Sequence, residues 1–405
     1  MEIVRPEDVG LSSERLARIE RHLERRYLDQ KKIAGALTLV ARRGRVAHFS
    51  SLGMMDLERG KPMREDTIFR IYSMSKPITS VALMTLYEHG RFQLDDAVHK
   101  YIPAFRDLRV YEAGNHPTFA TRPVERSMTI RDLLTHTSGL TYGFMERTNV
   151  DRAYRRLGIG DRSSTLAEMM EKLGKLPLEF SPGTKWNYSV STDVVAHLVE
   201  RISGRRFDTF VRDEITGPLG MSDTGFHVPD DKASRFAQCY QRSAGGGLEQ
   251  VKGRTFREPP SAPSGGGGLV STATDYMRFC EAMRQGGALG DVRLLGPKTV
   301  RLMRSNHLPN GRELADVSVS MFSEAIYRGV GFGLGFAMTT DVRSTQIAGS
   351  LGEFWWGGAA STAFWIDPVE DVCVVLLTQF MPSNVYPIRR ELRTLINAAI
   401  LESRD

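Results

Sequence analysis

In Tyr72-Ser73-Met74-Ser75-Lys76-Pro77, a hydroxyl and an amine lie three residues apart, ahead of an apolar run with Val81, Ala82, Met84 and Leu86. Proline is best tolerated in the first turn of a helix, where backbone N–H groups lack partners anyway, so Pro77 predicts a helix starting near Ser73. Residues about one helical turn apart share a face, which brings Ser73 and Lys76 side by side. A helix cap at Ser73 is the plain structural reading. A capping box, however, calls for Glu or Gln three residues on, and Lys76 stands there instead. An ammonium at the positive end of a helix is misplaced, and that cost favours the neutral amine, a proton acceptor. Ser73 and Lys76 therefore read as a nucleophile and its activating base, in the only Ser-x-x-Lys of the chain.

Two further segments carry candidate chemistry. In Pro182-Gly183-Thr184-Lys185-Trp186-Asn187-Tyr188, the tyrosine follows a turn and usually would be packing. Its functional reading is a phenolic proton shuttle whose acidity is raised by a neighbouring ammonium. In Phe354-Trp355-Trp356-Gly357-Gly358-Ala359-Ala360, two tryptophans precede an expected strand and read as core or an aromatic rim. Gly357 and Gly358 leave room for a ligand against the strand edge. A free edge N–H there, with that of Ser73, would form an oxyanion hole.

Other signals are weaker. Ala348-Gly349-Ser350-Leu351-Gly352 misses Gly-x-Ser-x-Gly at its first position, which counts against an α/β-hydrolase elbow at Ser350. His136, among threonines, reads as structural or surface. His-Glu-x-x-His, a glycine-rich dinucleotide turn and a Walker loop are all missing from the sequence, so neither a metal nor a cofactor is expected.

These residues need elements to position them. Leu16, Ile19, Leu23 and Tyr27 mark one face of a helix capped at Ser12 or Ser13. A hairpin follows, from Ala36–Ala41 and Arg45–Ser50 around Arg42-Arg43-Gly44. Strands return at Thr362–Ile366 and Val372–Leu377, and a helix follows Pro387. Residues from about 95 to 290 carry helical patterns, such as Thr129–Leu134 and Val194–Ile202, broken by Gly/Pro loops. The run Pro259–Gly268 reads as a surface loop, with backbone lining a cleft as the less favoured alternative. The expected fold is α/β: an antiparallel sheet from both chain ends flanked by helices, with an inserted, mostly helical lobe. The expected division is 1–95 with 290–405 for the sheet domain and 96–289 for the insertion.

The chain has 405 residues, 41% hydrophobic and 25% charged, which is ordinary for a globular protein and excludes fibrous or disordered classes. A net charge of +6 is spread among acidic residues, so a nucleic-acid partner is not expected. Three scattered cysteines make no disulfide framework. Neither a secretory apolar run nor a membrane span is legible, so the expected location is the cytoplasm and no membrane partner is expected. The oligomeric state is not legible either.

Together the three segments resemble the serine β-lactamase and penicillin-binding-protein superfamily, and within it the esterase branch, the family VIII carboxylesterases. Phe69–Lys76, Leu133-Leu134-Thr135-His136-Thr137-Ser138-Gly139-Leu140, Gly217–Met221 and Gly267–Thr272 add to the resemblance, which covers most of the chain. It implies that Ser73 is the acylated nucleophile, that Lys76 takes part in its activation, and that Tyr188 is the tyrosine of the Tyr-x-Asn element. Trp356-Gly357-Gly358 would occupy the place of the Lys-Thr-Gly element, with the Ala359 N–H as second oxyanion donor. Val190 stands where β-lactamases have an amide, and Trp356 where they have a cation. The implied activity is hydrolysis of small, neutral, short-chain carboxylic esters. The alternatives are a β-lactamase or D-Ala-D-Ala peptidase, an acyltransferase, or a catalytically silent binding protein on the same scaffold.

Overall fold

Both ends of the chain feed one antiparallel sheet of eight strands. The computed structural model describes residues 2–161, 163–253, 255–319 and 328–404. The strands are β1 (Gly35–Arg42), β2 (Arg45–Asp56), β3 (Lys61–Pro62), β4 (Val330–Phe332), β5 (Ala337–Thr339), β6 (Phe354–Gly357), β7 (Ala363–Asp367) and β8 (Val372–Thr378). Their spatial order is β4-β5-β6-β7-β8-β1-β2-β3, so the first strand lies beside the last, with Leu39 opposite Val375. β1 and β8 are buried along their whole length. Strands covered on both faces read as continuous apolar runs rather than alternations, which is how both appear in the sequence. Arg43 and Gly44, at φ +53° and +78°, make the tight turn between β1 and β2.

Helices cover both faces. These are α1 (Ser13–Leu23), α2 (Ser75–Glu88), α3 (Ser191–Ser203), α4 (Ala273–Arg284) and α5 (Ile388–Asn397). The Ser12 hydroxyl accepts from Arg15 N and caps α1. Leu16, Ile19 and Leu23 then pack with Leu392 and Ile396 of α5 over Val40, Trp365 and Val374. On the opposite face α4 lies against β1, β7 and β8, burying Leu39, Phe364 and Val375. A fully buried leucine such as Leu39 would cost about 2–5 kcal/mol on truncation to alanine. α2 packs on α3 and is buried from Ser75 to Leu86, all the way round.

The stretch expected to be mostly helical also holds strands. Arg109–Asn115 and Thr118–Pro123 form a hairpin, and Tyr240–Arg242 pairs with Leu248–Gln250. Most of the hairpin is exposed or half-buried, so no apolar alternation marks it in the sequence. The tryptophan pair also differs from expectation: Trp355 and Trp356 lie within a strand of their own, β6, rather than ahead of one. Among the described residues no helix is long and apolar enough to cross a membrane.

Candidate active site

Ser73 lies in a short helical turn, Tyr72–Met74, that runs directly into α2. The chain reaches it through Phe69–Arg70, which pairs with Val270–Ser271, and Ile71 N donates to Leu269 O at 3.2 Å. Tyr72 takes φ +43°, a conformation that costs a non-glycine residue energy and that the surroundings must hold. They do so on both sides: Tyr276 OH donates to Met74 O at 2.8 Å, and Leu269 N donates to Ser75 Oγ at 3.1 Å. The nucleophile candidate is thus mounted on the most buried helix of the fold.

Lys76 is 2% exposed. Its Nζ lies 3.3 Å from Ser73 Oγ and donates to Gly266 O at 2.6 Å. Burial pulls the amine down to about 7, against the pull of the Asp193 carboxylate, which favours the ammonium. Asp193 in turn accepts from Ser264 Oγ at 2.5 Å and Gly266 N at 3.2 Å, fastening the glycine-rich run onto the lysine. The surface-loop expectation for that run is therefore wrong: Gly265, Gly266 and Gly268 are buried. A Cβ at Gly266 would lie 2.7 Å from Asp193 Oδ2 and 2.8 Å from Tyr142 OH. Glycine is required there because a carbonyl must reach the amine through a tight space.

Tyr188 closes the other side. Its ring lies 4.4 Å from Lys76 Nζ, and its hydroxyl accepts from Trp356 Nε1 at 3.3 Å. Burial pushes the phenol above its ordinary value, while the bonds to Ser73 and Trp356 pull the other way. The expected rise in acidity from a neighbouring ammonium is not found. The buried amine beside it itself resists protonation, so the phenol stays neutral. The segment around Tyr188 is pinned to the 136–141 loop: Asn187 N donates to His136 O at 2.9 Å and Val190 N to Thr141 O at 3.2 Å. His136 is structural, not at the surface. It is 1% exposed, its ring centroid lies 5.0 Å from that of Tyr188, and burial lowers its basicity far below the usual value.

Trp356 points from β6 onto Tyr188, with ring centroids 5.5 Å apart. Next to it, a Cβ at Gly358 would lie 2.4 Å from Ile71 O and 2.3 Å from Thr362 Oγ1. The space at Gly358 thus admits the turn that carries Ser73, not only a ligand as the sequence suggested. Gly358 N donates to Thr362 O at 2.9 Å, and Ala359 sits in the tight β6–β7 connection this bond closes. Arg389 of α5, not anticipated from the sequence, donates from Nη2 to Gly358 O at 2.5 Å and Thr362 O at 2.9 Å.

The structure thus gathers Ser73, Lys76, Tyr188 and Trp356, with Gly357 and Gly358 beside them. It adds Gly266, Asp193 and Arg389, which sequence reasoning missed. Gly266 lies in the run whose less favoured reading was backbone lining a cleft; Asp193 and Arg389 gave no signal. Ser350 is elsewhere engaged: it is buried and donates to Asp367 Oδ2 at 2.6 Å. Among the described residues no group of three or more His, Cys, Asp or Glu side chains could hold a metal ion. A hydroxyl beside an amine that loses its proton near pH 7 and a neutral phenol is equipped to lose its proton and attack an electrophilic carbon.

Residues 21–398 match the beta-lactamase family. The chain is 32% identical over 375 residues to Esterase EstB of Burkholderia gladioli, covering 87% of each chain. It is 28% identical over 398 residues to monacolin J acid methylbutanoyltransferase of Aspergillus terreus, covering 93% of each. Among solved structures it is similar to EstCE1, described as a hydrolase with promiscuous acyltransferase activity. That likeness has a TM-score of 0.81 and 28% identity, over 95% of this chain and 99% of the other.

Proposed function

The chain belongs to the beta-lactamase family, in its esterase branch, and from that premise we propose that it hydrolyses neutral carboxylic esters through an acyl-enzyme on Ser73. The observation that carries this reading is Lys76 Nζ at 3.3 Å from Ser73 Oγ, with the Tyr188 ring 4.4 Å from the same amine. Lys76, uncharged above about pH 7, takes the Ser73 proton with Tyr188 as relay. Oγ attacks the ester carbonyl, and the N–H groups of Ser73 and Ala359 hold the oxyanion. Tyr188 returns the proton to the departing alcohol, and water then attacks the acyl-enzyme through the same groups.

Two features favour an ester over a β-lactam. Trp356 offers an indole face where a cation would bind a substrate carboxylate, and its N–H is directed at Tyr188. Val190 is 3% exposed and apolar where an amide would meet substrate. Acyl transfer is the second reading, supported by the methylbutanoyltransferase relative; an alcohol then replaces water in deacylation. The test is a fluorophosphonate label followed by peptide mapping. A single adduct on Ser73, lost with p-nitrophenyl esterase activity in Ser73→Ala, is expected. An adduct elsewhere overturns the reading. Added alcohols that raise p-nitrophenol release, with a new ester formed, would favour transfer.

A further inference from the structure

We propose that Thr362 is a positioning residue whose hydroxyl clamps the two oxyanion donors together in the transition state; the proposal rests on the esterase reading. Those donors, the N–H groups of Ser73 and Ala359, belong to different elements, the Tyr72–Met74 turn and the β6–β7 connection. For both to reach one oxygen, the two elements must keep a fixed separation. They meet where Gly358 approaches Ile71, and Thr362 stands at the same spot.

Thr362 is fully buried. Its carbonyl accepts from Gly358 N and from Arg389 Nη2, both at 2.9 Å, which fixes its backbone to the connection. Its hydroxyl, by contrast, has no hydrogen-bond partner among the described residues. A buried hydroxyl left alone costs free energy and calls for an explanation. The acceptor at hand is the Ile71 carbonyl. Thr362 Oγ1 and Ile71 O lie 2.3 and 2.4 Å from the position that a Cβ on Gly358 would take. Ile71 O already accepts from Met74 N at 3.0 Å, but a carbonyl has a second lone pair. Donor and acceptor thus border one small gap, on opposite elements, and are not joined in the resting protein.

An oxyanion forming between the N–H groups of Ser73 and Ala359 draws the turn and the connection together. That movement closes the gap, and Thr362 Oγ1 donates to Ile71 O. The bond exists only while the oxyanion does, so it lowers the barrier without tightening substrate binding. Acylation and deacylation each pass through such an oxyanion, and loss of the bond slows both by the same factor. The signature is a lower kcat at unchanged KM. Removing the hydroxyl also removes the cost of burying it alone, so the slower protein is the more stable one. A merely structural hydroxyl does the reverse, because its loss weakens the fold.

The experiment compares full-length wild-type, Thr362→Val and Thr362→Ser proteins by steady-state kinetics on p-nitrophenyl acetate and by thermal unfolding. Valine keeps the branched shape and drops the hydroxyl; serine keeps the hydroxyl. Thr362→Val should lose about 5- to 10-fold in kcat at unchanged KM, as expected for one neutral hydrogen bond, and should unfold at a higher temperature. Thr362→Ser should recover most of that kcat. A wild-type kcat in Thr362→Val, a raised KM in place of a lowered kcat, or a serine variant as slow as the valine one overturns the proposal. So does a lower Tm in Thr362→Val, which would show the hydroxyl bonded at rest. Labelling by a fluorophosphonate separates the clamp from the esterase reading, because forming the Ser73 Oγ–P bond with loss of fluoride uses the same two N–H groups. If wild type labels at Ser73 but hydrolyses no p-nitrophenyl ester, the esterase reading fails, and slower labelling of Thr362→Val by the same factor keeps the clamp. In that case an equal labelling rate loses both, as does a wild-type protein that neither labels nor hydrolyses.

Discussion

Lys76 Nζ donates to the carbonyl of Gly266 at 2.6 Å, while it lies 3.3 Å from Ser73 Oγ. A carbonyl anchors an amine without demanding its charge, as a bonded carboxylate would. Asp193 is set one step back, bonded to Gly266 N and Ser264 rather than to Lys76. The lysine is thereby fixed in place and left free to be neutral.

The first prediction follows from that neutrality. Ester hydrolysis should rise with pH through a midpoint near 7, where the buried amine loses its proton. Asp193→Asn removes the carboxylate that favours the ammonium, so the midpoint should move to lower pH. The asparagine oxygen still accepts from Gly266 N and Ser264, which keeps the loop in place. kcat/KM measured from pH 5 to 9 in both proteins is the check, and an upward shift would contradict the arrangement.

Burial of Lys76 also has a stability consequence. Its ordinary value is 10.5 and its folded value about 7. Between these the unfolded chain binds more protons, so stability rises with pH from about 7 to 10.5, and the full penalty applies below 7. Lys76→Met should therefore stabilise the protein by about 2 kcal/mol or more at pH 7. The margin should shrink towards pH 10.5. Urea unfolding of both proteins at pH 7 and 10 measures it, and a margin that grows with pH would reverse the sign.

Adjacent glycines should respond differently to alanine. At Gly358 the new methyl meets the Ile71 carbonyl at 2.4 Å, which drives β6 from the Ser73 turn. Loss of one oxyanion donor costs about 100- to 1,000-fold in kcat, and Gly358→Ala should approach that. At Gly357 the methyl meets Arg389 Cζ and the Thr362 carbonyl, both at 2.9 Å, a smaller overlap than the one at Gly358, relieved by a smaller shift of the backbone. Gly357→Ala should keep much more activity. Steady-state kinetics on p-nitrophenyl acetate compares the two, and equal losses would refute the distinction.

What the sequence shows and hides follows from where the information lies. Ser73, Lys76 and Tyr188 are legible because their chemistry is in their side chains and their spacing meets a helix start and a turn. β1 and β8 are legible because doubly covered strands are unbroken apolar runs. Gly266 is not, because its contribution is a backbone carbonyl, and a glycine-rich run looks the same on a surface or over a lysine. Arg389 is hidden among charged residues of an amphipathic helix, where a guanidinium reads as solvated. The 109–123 hairpin is hidden because exposed strands need no apolar alternation.

The final prediction concerns the choice of substrate, which turns on Trp356. Its Nε1 donates to Tyr188 OH at 3.3 Å and its ring meets Phe332 edge-on at 5.3 Å, so it presents an apolar wall rather than a charge. A lysine at this position could pair with a substrate carboxylate, and a charge-assisted bond is worth roughly 1.5–3 kcal/mol. Trp356→Lys should therefore raise kcat/KM for nitrocefin relative to p-nitrophenyl acetate by about 10-fold or more, by the same magnitude. Every absolute rate should fall, because a 7% exposed indole leaves a gap beside Tyr188 that a lysine does not fill. The ratio, not the rate, is the measurement. If wild-type protein already turns over nitrocefin as efficiently as the ester, Trp356 does not exclude anions and the β-lactamase reading replaces the esterase one.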